Sequence, residues 1–158
     1  MLLSTLGASS CASQPPPRSA ESPLLNEVMP TFESESLNGS PLEPGTFYGH
    51  PVVLIFATPD CPACIRALSA GQELYAEQRG VVVLGVLSRI ERKQALSVTG
   101  EHQLRFPVVS DESGSLAELF QVQDAPRTFV IDKQGWVRWV GGADMTDDAL
   151  EQAVSSVR

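Results

Sequence analysis

Two cysteines three positions apart, Cys61 and Cys64, stand where an apolar run gives way to a helix start. Residues 52–56 (VVLIF) are apolar without polar alternation, the pattern of a short strand buried on both faces of a sheet. The cysteines follow its exit in the run Phe56-Ala57-Thr58-Pro59-Asp60-Cys61-Pro62-Ala63-Cys64. Pro62 suits the first helical position, where a missing N–H costs nothing.

This placement points to dithiol/disulfide redox chemistry. With Cys61 at the helix cap, its sulfur lies near unpaired backbone N–H groups and the positive dipole end, which favour thiolate over thiol. Such positions lower a cysteine pKa from about 8.5 into a range of roughly 3.5–7.5. Cys64 lies one turn on, on the same helix face, so the sulfurs can approach bonding distance and Cys64 can resolve a mixed disulfide. Cys61 is read as the nucleophile and Cys64 as the resolving thiol. Two blander uses compete. A structural zinc site takes about four ligands, and outside the pair only Cys11, His50 and His102 are on offer, with no second close pair. An inert disulfide closing so short a loop adds little stability through chain entropy. No resident metal or other cofactor is expected.

At 158 residues the chain has room for one domain with a core, and no repeat divides it. A net charge of -8 argues against nucleic acid or an anionic membrane surface as the main partner, since both call for a basic patch. No stretch reaches the roughly 18 apolar residues that span a bilayer.

The first 27 residues differ from the rest. A mildly apolar start leads through Ala8-Ser9-Ser10 to Cys11, and then into a polar, proline-rich stretch ending at Pro23. Such a stretch builds no core, so residues 1–27 are read as an extended tether and residues 28–158 as the domain. Small residues leading into a cysteine resemble the end of a bacterial lipoprotein signal, and that resemblance implies lipidation at Cys11. No Lys or Arg precedes the apolar part, and the segment is shorter than the usual roughly 15–30 residues. Two readings fit that shortfall: a true start upstream of Met1, or an untargeted, disordered tail with an incidental cysteine.

From residue 28 onward strand and helix signals alternate. Residues 31–37 alternate loosely, Asn38-Gly39 is a hairpin turn and Pro41-Leu42 begins the return. The buried strand leads to a helix over about 62–79 with Gly80 as its stop, then a second buried strand over 81–87. A helix over about 91–103, an extended piece at 106–109 and a short helix at 115–120 follow. Strands at 128–132 and 136–140 form an antiparallel hairpin, and Thr146 starts a final helix with Asp147 and Asp148 in its first turn. Early helical crossovers and a late hairpin make the sheet mixed, in a three-layer α/β sandwich. Trp136 and Trp139 face opposite sides of the last strand, one in the core and one partly exposed.

Four stretches carry a family resemblance: Met29-Pro30-Thr31-Phe32 with Leu37-Asn38-Gly39, the run from Phe56 to Cys64, residues 106–111 (FPVVSD), and residues 125–132 (APRTFVID) before Gly135. Over about residues 28–157 the chain resembles AhpC/TSA-related redoxins of the TlpA/ResA type, and its active-site run is also similar to MauD-like redoxins. The resemblance implies a thioredoxin fold with an N-terminal β-hairpin extension. It implies a bacterial-envelope thiol-disulfide oxidoreductase, monomeric and free of cofactors, exchanging disulfides with protein partners and with a membrane electron donor or acceptor. Pro126 is then a cis-proline facing the dithiol, holding the Ala125 backbone where an extended substrate segment can pair with it. Pro62, Ala63, Ala125 and Arg127 are the implied substrate-binding residues.

Departures from that pattern matter as well. Asp60 replaces the tryptophan that many relatives carry beside the first cysteine, and a carboxylate there opposes thiolate formation at Cys61, less so when exposed. The buried acid of cytoplasmic thioredoxins falls at Ile55, and the acid that some relatives place one turn after the second cysteine falls at Ala67. No proton acceptor for Cys64 is therefore named. Arg127 replaces the glutamate of some cytochrome-maturation members: pointing inward it favours thiolate at Cys61, pointing outward it is a solvent-facing strand residue.

Two alternatives share parts of the pattern. Thr58 with Cys61 matches the Thr-x-x-Cys half of a peroxiredoxin motif, but the proline of that motif falls at Leu54 and its arginine at Pro126. Without the arginine, thiolate activation and peroxide polarisation both weaken. An envelope copper or cofactor chaperone is the other, since soft thiolates suit Cu(I); His102 is the only downstream histidine to complete such a site. The direction of exchange is left open, because reductant and oxidant differ in the stability of the reduced pair.

Overall fold

The computed structural model describes residues 16–77 and 80–158, and Cys11 lies outside them. A small antiparallel hairpin of β1 (Ser34–Glu35) and β2 (Pro41–Leu42) pairs Ser34 with Leu42, its turn closed by Gly39 at φ +85. The main sheet contains β3 (Val52–Ala57), β4 (Val82–Ser88), β5 (Val108–Asp111), β6 (Arg127–Ile131) and β7 (Val137–Gly141), in the order β5-β4-β3-β6-β7. β3, β4 and β5 run parallel, whereas β6 is antiparallel to β3 and β7 to β6.

Both faces of β3 are covered, which is why its sequence shows no alternation. Val53, Ile55 and Ala57 enter one core with residues of α1 (Pro62–Ala76), α2 (Arg92–Glu101) and α4 (Asp147–Ser156). Val52, Leu54 and Phe56 enter the other with α3 (Ser115–Leu119), Phe120, Phe129 and the N-terminal Leu24, Met29 and Phe32. The fold is thus the mixed, three-layer α/β sandwich read from the sequence. Gly71 sets how closely α1 approaches the sheet: a Cβ there would lie 2.5 Å from Ile55 Cδ1. The helix expected to reach residue 79 ends at Ala76, and Gly80 turns the chain at φ +69.

Trp139 is core, at 3% exposure, while Trp136 precedes β7 and is 37% exposed, with the Arg138 guanidinium 5.4 Å from its ring centroid. Asp132 ties the β6–β7 turn by accepting from the N–H groups of Gln134 and Trp136 and pairing with Arg138 Nε at 2.6 Å. Burial alone raises its carboxyl pKa, but the Trp136 N–H, Arg138 and the Gln134 N–H together hold it below the usual carboxylate value.

Residues 17–27 depart from their reading as a tether. Ala20 N–H donates to Val140 O at 2.7 Å, Asn26 N–H to Val137 O at 2.8 Å, and Val137 N–H to Glu27 O at 2.9 Å. The Trp139 indole donates to the carbonyls of Pro17 (3.1 Å) and Arg18 (3.3 Å), and Leu24 is buried. As an edge strand, β7 has a row of backbone groups to satisfy, and a buried indole N–H needs an acceptor. Residues 17–27 answer both needs by packing along β7.

Candidate active site

The antiparallel register between β3 and β6 builds the site. Phe56 pairs with Arg127 and Ile55 with Thr128, so the exit of β3 toward Cys61 lies beside the start of β6 after Pro126. Cys61 is the N-cap of α1 with φ -127 and ψ 105, and Pro62 occupies the first turn, where its missing N–H leaves no orphan. The cap is made by sulfur: Cys61 Sγ accepts from Cys64 N–H at 3.1 Å. The two cysteines form a disulfide with Cα atoms 5.1 Å apart.

Their exposures differ. Cys61 is half-buried, whereas Cys64 is fully buried on the inner face of α1. Pro62 is exposed and Ala63 half-buried at the helix start, both on the rim of the disulfide. The Ala125–Pro126 peptide is cis, Pro126 is buried, and the Ala125 carbonyl oxygen lies 3.8 Å from Cys61 Sγ.

Arg127 does not act on the disulfide by hydrogen bonding. Side chains alternate along β6: Val130 enters the core that holds α1 and Phe129 and Ile131 enter the other, so Arg127 leaves on the face of Phe129 and Ile131. There it lines a cleft of ≈ 550 Å³ with Glu21, Gln121, Gln123 and Asp124. Asp60 is exposed. Ile55 and Ala67, the two positions at which the resemblance places the acids of cytoplasmic thioredoxins and of some relatives, are apolar and buried at 0% and 2% exposure.

Two polar contributions were not read from sequence. Thr58 Oγ1 lies 3.7 Å from Cys64 Sγ, and Thr128 Oγ1, across from Ile55, is buried without a partner. The first joins residues on either side of the strand-to-helix turn, and spacing alone does not indicate it. It also sets the peroxiredoxin motif aside, because the threonine contacts the second cysteine and the motif's arginine position is held by Pro126. For the copper reading, no three His, Cys, Asp or Glu residues among those described stand together as a metal-binding group.

Residues 25–140 match the AhpC/TSA family. The chain belongs to that family. It is 30% identical over 146 residues to the thiol:disulfide interchange protein DsbE of Escherichia coli (strain K12), covering 87% of this chain and 76% of that one. It is 28% identical over 136 residues to the thiol-disulfide oxidoreductase ResA of Geobacillus kaustophilus (strain HTA426), covering 85% and 78% of the two. In fold it is similar to a secreted Mycobacterium tuberculosis disulfide oxidoreductase homologous to E. coli DsbE. That match has a TM-score of 0.71 at 24% identity and covers 79% of this chain and 95% of that one. The fold is a thioredoxin fold with an N-terminal hairpin, and this AhpC/TSA family member is a thiol-disulfide oxidoreductase.

Proposed function

We propose that the chain exchanges disulfides with protein partners, with Cys61 as the attacking thiol and Cys64 as the resolving one. The observation that carries this reading is the difference in burial, a half-buried Cys61 at the helix cap and a fully buried Cys64 behind it. In the reducing direction, Cys61 thiolate attacks one sulfur of a partner disulfide. A Cys61–partner bond forms, the partner's S–S bond breaks, and its second sulfur leaves with the electron pair and takes up a proton. Cys64 then displaces the partner from Cys61, closing the internal disulfide. The reverse sequence oxidises a partner dithiol. An extended partner segment lies along Ala125 and Pro126, with Pro62 and Ala63 opposite, which the 3.8 Å approach of the Ala125 carbonyl to Cys61 Sγ supports.

The reduced chain is expected to open disulfides of a protein substrate, and Cys61→Ser to lose at least about a thousandfold of that rate, because a hydroxyl does not replace a thiolate nucleophile. Exchange that survives Cys61→Ser overturns the assignment, and rapid peroxide consumption that survives Cys64→Ser returns the peroxidase.

The proposed place of work is the extracytoplasmic side of a bacterial envelope, as a monomer held by a lipid on Cys11 and served by a membrane electron donor or acceptor. The order of apolar start, small residues and Cys11 supports the anchor. Mass spectrometry of the membrane fraction is expected to find a lipidated N-terminal Cys11; an unmodified Cys11 in soluble mature protein removes the anchor.

A further inference from the structure

The resolving step requires a buried thiol to lose its proton, and the chain has no carboxylate at the two positions where the resemblance places one. Cys64 is 0% exposed, with Ile55 and Ala67 apolar beside it on the same core face. Moving an isolated charge into such surroundings is costly, so an unassisted Cys64 thiolate is disfavoured. The side-chain oxygen in contact with Cys64 Sγ is Thr58 Oγ1, at 3.7 Å, on a residue that is half-buried where Cys64 is buried.

In the disulfide, Cys64 Sγ carries no proton, so the Thr58 hydroxyl is the donor in that contact. A hydroxyl is both donor and acceptor and rotates to suit. In the dithiol it can therefore accept from the Cys64 S–H, and after ionisation it can donate to the thiolate. One side chain thus serves both protonation states of the same sulfur.

We propose that Thr58 is the proton-relay residue for Cys64, taking over at the resolving thiol the task that a buried carboxylate performs elsewhere. The proposal rests on Cys64 being the resolving thiol. In the step, the Cys64 S–H proton passes to Thr58 Oγ1 as the Thr58 hydroxyl proton passes to water at the mouth of the site. Cys64 thiolate attacks Cys61 Sγ of the mixed disulfide. The Cys61–Cys64 bond forms, the Cys61–partner bond breaks, and the departing partner thiolate takes up a proton from water. Two electrons leave with the partner sulfur, and the net proton transfer is from Cys64 to the partner.

The test uses the two releases of thionitrobenzoate when the reduced chain, carrying Cys11→Ser to remove the third thiol, reacts with one equivalent of Ellman's reagent. The first release reports attack by Cys61, the second displacement by Cys64. Thr58→Val, nearly isosteric but without a hydroxyl, is expected to leave the first release within about twofold. The second slows about tenfold or more, toward the lower part of general acid–base effects, and needs higher pH to recover. Thr58→Ser restores both rate and pH profile. An unchanged second phase in Thr58→Val, or a slowed phase that serine does not rescue in a protein with native near-UV circular dichroism, overturns the relay. A second release that persists in Cys64→Ser overturns the resolving assignment itself, a failure distinct from that of Thr58.

Discussion

A Cys64→Ser variant is expected to hold its partner in a covalent complex through Cys61, stable on non-reducing electrophoresis and released by dithiothreitol. The cause is geometric. Cys64 lies one helical turn beyond the cap, with its Cα 5.1 Å from that of Cys61, so displacement of a bound partner is intramolecular. Well-oriented groups of this kind act at effective molarities of up to about 10⁵–10⁸ M, far above any thiol in solution. Removing the group leaves only external thiols to free the partner, and multiple-turnover exchange is expected to fall by about a thousandfold or more. The first attack is spared, because Cys61 keeps its cap position and its access to solvent. Serine at position 64 also keeps the backbone N–H that donates to Cys61 Sγ at 3.1 Å. The companion Cys61→Ser variant is expected to form no complex. Complexes in Cys61→Ser and none in Cys64→Ser would exchange the roles of the two cysteines.

How far the sequence disclosed this site depends on the kind of interaction. The strand, the cap and the helix follow one another within residues 52–76, so local rules sufficed: an apolar run, Pro62 at the helix start, and cysteines sharing a face. The cis geometry at Pro126 came from resemblance alone, because few X-Pro bonds are cis and no neighbouring residue marks this one. The packing of residues 17–27 was hidden by their composition, since prolines and serines read as a tether. What holds them is a partner far along the chain, the edge of β7 and the indole of Trp139. Leu24 and Leu25, an apolar pair just after the polar stretch, the first buried and the second packed against the same core, were the local sign. Arg127 had two readings that differed only in direction, and strand alternation with Phe129 and Ile131 decides between them.

Phe120→Ala is expected to be the most destabilising single truncation on the α3 side of the sheet. Its ring is 0% exposed, and its centroid lies 5.7 Å from that of Phe32, 5.3 Å from Phe56 and 5.7 Å from Phe129. It therefore joins the N-terminal segment, the central strand β3 and strand β6 in one cluster. Emptying that position costs about 3–5 kcal/mol through lost burial and an unfilled cavity. Domains have roughly 5–15 kcal/mol in all, so the thermal midpoint is expected to fall by roughly 6–20 °C. Phe120→Leu leaves a smaller void and is expected to lose less. The reacting sulfurs respond differently, because Cys64 and the inner face of α1 belong to the core on the opposite side of the sheet. Below the melting transition, the rate of exchange per folded molecule is expected to remain within about twofold of the native value, since no group bonded to either sulfur is altered. A rate that falls in step with stability would mean that the two layers are coupled through Phe56 and Phe129, the strand residues whose neighbours lead directly to the cysteines and to Pro126.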